Sequence, residues 1–164
     1  KLIKVAEKID ISFNEAGEIF LDDENVSEEI RSARVNEHVS ETAAVKGVRK
    51  ILVDKQRKLA ENNKVVMDGR DITTVVLPKA EHKFFLTASL KERAERRYQE
   101  IKSKNKEADF QKIKESIARR DKLDSEREHS PLKKAEDAVL LDTTDLSINE
   151  VLNKMLSIIE GEVN

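Results

Sequence analysis

The chain has 164 residues, 31 basic and 33 acidic, with a formal net charge of −2. That near-cancellation argues against a general polyanion binder, whose footprint is a basic surplus, and the absence of cysteine excludes disulfides and thiolate metal sites. No apolar run exceeds the four residues Ala138–Leu141, against the roughly 20 of a membrane helix, and no signal peptide is evident, so a soluble cytoplasmic protein of one domain is expected.

The chain starts Lys1-Leu2-Ile3, without an initiator methionine, which predicts a segment upstream. The first forty residues are expected to form a small β-rich unit. Ile9, Ile11 and Phe13 alternate with polar residues, as on a half-buried strand. Asn14–Gly17 supplies turn chemistry before a second strand over Glu18–Leu21, predicting a hairpin. Ser27-Glu-Glu-Ile30 carries a helix-start pattern. From Thr42 to Asn62 the spacing of Val45, Val48, Ile51, Leu52 and Leu59 predicts one helix.

Lys64–Met67 reads as a short buried strand stopping at Asp68-Gly69, and Lys83–Leu86 as another. Ser89-Leu-Lys-Glu92 is a capping-box sequence opening a helix that runs past Arg97 and Tyr98 into the polar stretch Lys102–Ala108. A further helix is expected over Asp109–Leu123, with Phe110, Ile113 and Ile117 on one face. After Pro131 come a strand at Ala138–Leu141, a second capping-box sequence at Ser147–Glu150, and a last helix that Gly161 stops. Strands alternating with helices predict an α/β fold with a parallel sheet.

The chemistry concentrates in Val65-Val66-Met67-Asp68-Gly69-Arg70-Asp71. In open α/β sheets ligands sit beyond the carboxyl ends of the strands, where glycine lets backbone approach closely and arginine offers a planar fork matched to phosphate. By itself Asp-Gly-Arg-Asp is equally a plain turn. A second cluster is Arg119, Arg120, Asp121, Asp124 and Arg127. Arg120 and Asp124 share a helix face, which also suits a solvated helix laced with ion pairs.

Several motifs nevertheless agree in order and spacing. They are Glu29-Ile30-Arg31 followed by Ser40 and Val48-Arg49; Asp68-Gly-Arg-Asp-Ile-x-Thr-Val-Val-x-Pro78; Arg120-Asp-x-x-Asp124-Ser-x-Arg127; Pro131-Leu132; Ala135-Glu-Asp-Ala138; and Leu141-Asp-Thr-Thr144. Together they resemble the bacterial cytidylate kinase family along essentially the whole chain. The resemblance implies a P-loop nucleoside-monophosphate kinase fold, a parallel sheet flanked by helices with a small β-rich CMP-binding insert. Residues 1–40 would form that insert, 41–96 and 113–164 the core, and 97–112 the lid region.

It also implies transfer of the γ-phosphoryl of ATP to CMP or dCMP with Mg²⁺, by a monomer without nucleic-acid or membrane partners. Ser40, Arg49 and Asp71 would read the cytosine, with Asp71 accepting from its amine. Arg70 and Arg127 would hold the CMP phosphate, and Arg120 with Asp124 would lie on the ribose side. Asp68 would steady the Mg²⁺ shell through water, while Arg96 and Arg97 stand where the lid begins, so that one or both, Arg97 foremost, would close over the transferring phosphoryl. The acceptor oxygen is already anionic, so no general base is required and His38, His82 and His129 need no role.

Two departures stand out. A P-loop needs Gly-x-x-x-x-Gly-Lys-[Ser/Thr], yet Gly17, Gly47, Gly69 and Gly161 are the only glycines. An N-terminal strand and P-loop are therefore expected to be missing from these residues, leaving a CMP-binding fragment without an ATP site as the alternative. The bare chain would then be unstable or inactive. The second departure is Thr73, where the family usually shows glycine.

Overall fold

In the computed structural model, which describes residues 1–14, 16–61, 63–104 and 107–161 but not the side chains of Ala33 and Ser40, the backbone divides into two units. One is Lys1–Asp68 with Arg127–Ser130; the other is Gly69–Glu126 with the chain from Pro131 on. Glu15, Asn62, Asn105 and Lys106, expected in a turn, a helix end and the lid region, lie outside the described residues.

The expected hairpin is present in the first unit. Strands β1 (Ile11–Phe13) and β2 (Ile19–Leu21) pair antiparallel, Ile11 opposite Leu21. A third strand, β3 (Glu24–Asn25), adds to β2. Asp22 and Asp23 connect β2 to β3 at φ of 49° and 68°, a left-handed geometry that aspartate tolerates better than most residues. Sequence had shown no helix before β1, but α1 (Leu2–Lys8) is there. Seven residues cannot hold a helix by propensity. It is stabilised by packing on α3 (Lys46–Glu61) across Gly47, where an added Cβ would stand 2.5 Å from Ile3 Cδ1.

The single helix expected over Thr42–Asn62 is two. Helix α2 (Ala33–Ala44) begins earlier than the periodicity suggested, and Val45, at ψ 105°, breaks the run before α3. Ser27 does not start a helix. Its hydroxyl accepts from Ile19 N at 2.8 Å, so the cap falls to Ser32, whose Oγ accepts from Val35 N, after a 3-10 turn at Glu29–Arg31.

The second unit is α/β. Strands β4 (Phe84–Thr87) and β5 (Val139–Asp142) pair in parallel, Phe84 opposite Val139. Parallel neighbours need a long crossover. Helices α4 (Leu90–Ser103) and α5 (Phe110–Glu126) supply it, held together by an Arg93–Asp121 ion pair at 2.7 Å and an edge-on Tyr98–Phe110 contact. Helix α6 (Ile148–Ile159) follows β5 and ends before Gly161 at φ 77°.

The strand expected at Lys64–Met67 belongs to no ladder among the described residues, and Val66 is fully exposed. A strand is defined by its partner, so an apolar run without one stays irregular. No described helix is long and apolar enough to cross a membrane.

The two capping-box sequences diverge. Ser147 and Glu150 complete theirs, whereas Glu92 turns its carboxylate to Arg96 at 2.8 Å, leaving Ser89 to cap α4 alone. Ser89→Ala should cost about 1 kcal/mol, read from urea unfolding. Hydrogen bonds from the Ser147 hydroxyl and then its backbone hold the Glu150 carboxyl below the usual glutamate range. A depressed pKa gives stability that is complete above the unfolded value of about 4.3 and disappears as pH falls through the folded one. Wild type and Glu150→Gln should therefore differ in melting temperature at neutral pH and converge in acid.

Candidate functional site

In the second unit the site is built on the loop that opens at Gly69. An added Cβ there would stand 2.9 Å from Cγ1 of Ile72, which is buried. Glycine is thus required by close approach. Asp71 follows, 2% exposed, and its carbonyl accepts from Val75 N at 2.8 Å and Val76 N at 3.2 Å. With Leu77 N donating to Ile72 O at 2.7 Å, Ile72–Val76 forms one turn of π-helix, a rare geometry that recurs at functional sites. Thr73 sits inside this turn without positive φ, so the backbone here needs no glycine at that position.

The π-turn was not legible in the sequence, because nothing in Ile-Thr-Thr-Val-Val marks an i→i+5 bond. Its effect is to present Arg70 and Asp71 together at the turn's entrance.

Opposite them, near the end of α5, the Asp124 side chain is 4% exposed. Its Oδ2 lies 2.9 Å from Arg70 Nε and 3.7 Å from Arg120 Nε. A desolvated carboxylate requires such partners. Both arginines remain about two-fifths exposed. Arg70 engages Asp124 through Nε, which leaves the geometry of a guanidinium fork suited to an anion at its two terminal nitrogens. The structure therefore brings Arg70, Asp71, Arg120 and Asp124 together.

Arg49, on α3, and Arg127 belong to the first unit. Burial, and then the positive charge of Arg127, push the Arg49 guanidinium below its ordinary pKa. Two arginines within electrostatic reach of each other favour an anion between or beside them. Ser40 lies in α2, its side chain outside the description. Asp68 is exposed at the end of the irregular stretch before Gly69.

Arg97 is not joined to the Arg70–Asp124 cluster by any described ion pair. It pairs with Glu100 at 2.6 Å within α4 and holds that carboxyl below its usual range. Arg96 donates to the Thr143 hydroxyl at 3.2 Å and to the Thr143 and Leu146 carbonyls, fastening α4 to the loop after β5. The sequence reading overlooked Lys83, a buried lysine at the foot of β4. Its signal was a cation opening an otherwise apolar strand.

The family model for cytidylate kinase matches residues 1–161. The chain belongs to the cytidylate kinase family. Among its relatives, the cytidylate kinase of Caldanaerobacter subterraneus subsp. tengcongensis is 52% identical over 168 residues, covering 99% of this chain and 74% of that protein. That of Listeria welshimeri is 52% identical over 150 residues, with 92% and 67% covered. The Alkaliphilus oremlandii protein is 47% identical over 160 residues, with 98% and 73% covered. Membership in the cytidylate kinase family makes the chain a nucleoside-monophosphate kinase, a phosphotransferase, and agrees with the α/β architecture of the second unit.

Asp124→Ala would leave Arg70 and Arg120 without their shared carboxylate. It should destabilise the chain by about 1–3 kcal/mol in denaturant unfolding, and Asp124→Asn by less.

Proposed function

We infer that this chain serves the transfer of the γ-phosphoryl group of ATP to CMP or dCMP, giving CDP or dCDP. The observation that carries the substrate assignment is the pairing, at one turn, of a buried carboxylate with an arginine fork: Asp71 beside Arg70, the latter held by Asp124. The fork suits a phosphate. The carboxylate suits the exocyclic amine of cytosine, and a base with a carbonyl at that place would set acceptor against acceptor, at about 1–3 kcal/mol.

On this reading Ser40, Arg49 and Asp71 read the base, Arg70 and Arg127 hold the CMP phosphate, and Arg120 with Asp124 position the ribose. Arg97 closes with the lid over the transferring group. The arginines act by orienting the acceptor oxygen and offsetting charge that develops between donor and acceptor. No side chain needs to take a proton.

Among the described residues no cluster of three or more His, Asp or Glu could hold a metal ion. On this reading Mg²⁺ would be carried chiefly by substrate phosphates and water, with Asp68 contributing through its shell. When bound, the ion neutralises charge on the β- and γ-phosphate oxygens.

The wide spacing of the four glycines supports a phosphate-gripping P-loop outside these 164 residues. The division into an insert at 1–40, core at 41–96 and 113–164 and lid at 97–112 is likewise part of the proposal. So is a cytoplasmic monomer without nucleic-acid or membrane partners.

Calorimetric titration with CMP, and with UMP as control, tests the substrate assignment. CMP should bind at least tenfold tighter than UMP, and Asp71→Ala should remove most of that difference. Equal affinities for the two nucleotides on a chain shown to be folded would overturn it.

A further inference from the structure

Lys83 is a buried cation with no part in the reaction described above. Its side chain is only 6% exposed, a state lysine rarely adopts unless its charge is met. Nζ donates to Pro78 O at 2.6 Å and to Asp137 Oδ2. These two acceptors belong to different parts of the second unit. Asp137 stands just before β5, 66% exposed, and its carboxyl is held below the usual aspartate range chiefly by the Lys83 hydrogen bond.

Pro78 lies just beyond the π-turn. Leu77, between them, closes that turn through its N–H to Ile72 O, and its own carbonyl accepts from Ala80 N at 3.1 Å. The backbone of Lys83 is pinned as well, its carbonyl accepting from Val139 N at 2.9 Å.

A route of hydrogen bonds therefore runs from the sheet to Asp71. It passes from the β4–β5 ladder to Lys83, to the Pro78 carbonyl, across the π-turn, and ends at the Asp71 carbonyl held by Val75 and Val76. A π-turn is a rare backbone geometry and persists only where its surroundings over-determine it. Its entrance is fixed by Gly69 packing under Ile72; Lys83 grips its exit. A lysine is an expensive way to join two strands that already share a ladder, since an apolar side chain would fill the same space without desolvating a charge. Its position is explained by the carbonyl it reaches.

We infer that Lys83 is a positioning residue for base recognition: it locks the exit of the π-turn to the sheet and so holds the Asp71 carboxylate in the orientation that distinguishes cytosine from uracil. The inference rests on Asp71 reading the base. Displacement of Asp71 by even a fraction of an ångström would weaken its contact with the amine while leaving phosphate binding by the arginines largely intact.

The test is the CMP-to-UMP affinity ratio, measured by calorimetry for wild type, Lys83→Met, Asp137→Ala and Asp71→Ala, with a thermal melt of each. Lys83→Met should lower the ratio at least fivefold, mostly through weaker CMP binding, and Asp137→Ala about twofold. A residue that only staples the fold would lower the melting temperature of Lys83→Met and leave the ratio of its folded fraction unchanged. That result, with the ratio collapsed in Asp71→Ala, overturns the inference. An Asp71→Ala ratio equal to wild type would instead overturn the base-reading role and this inference with it.

If Lys83→Met gives no cooperative melt, amide exchange in Asp137→Ala decides. Faster exchange at Val76 and Leu77, with Val139 and Thr143 unchanged, supports the role; unchanged rates at Val76 and Leu77 refute it.

Discussion

The carboxylate of Asp124 is the point on which the second unit's site depends. Taken out of water near the end of α5, it draws Arg70 from the Gly69 loop and Arg120 from its own helix. Its backbone carbonyl accepts from Leu132 N at 2.7 Å, which sets where the chain returns after Arg127–Ser130. One buried negative charge thus fixes the direction of two arginines and the path of a loop. Because desolvation makes that charge costly alone, each partner is held firmly.

Around it, the unit is organised to keep charge oriented. Arg93 joins α4 to α5 through Asp121 and also binds Ala88 O at 3.0 Å. Arg96 grips the loop after β5, where buried Thr143 donates from both its backbone and its hydroxyl to Thr87 O. These contacts brace α4, α5 and the loop after β5 against one another.

The arginine-rich composition of α4 and α5 therefore has two uses that residue type alone does not separate. Arg93 and Arg96 reach buried or half-buried partners on other elements. Arg97, among the described residues, pairs with Glu100 one turn away on its own helix. Such exposed pairs contribute little to stability.

Local chemistry determined much of what was readable in the sequence. The β1–β2 hairpin followed from alternation and turn residues, α4 from its capping-box sequence, α5 from apolar spacing and α6 from both. β4 and β5 followed from short apolar runs. The Asp68–Asp71 and Arg120–Arg127 motifs, each readable alone as a turn or an ion-paired helix, pointed to a nucleotide only through the family resemblance that their joint order and spacing carry. What the sequence could not show depended on partners distant along the chain. Leu2–Lys8 is a helix because Gly47 offers it a surface, Lys64–Met67 is no strand because no ladder among the described residues receives it, and Ser27 is no cap because β2 takes its hydroxyl. The burial of Lys83 likewise emerges only when Pro78 and Asp137 meet around one ammonium group. Periodicity and propensity act within a few residues, whereas burial and hydrogen-bond partnership are settled by the whole packed unit.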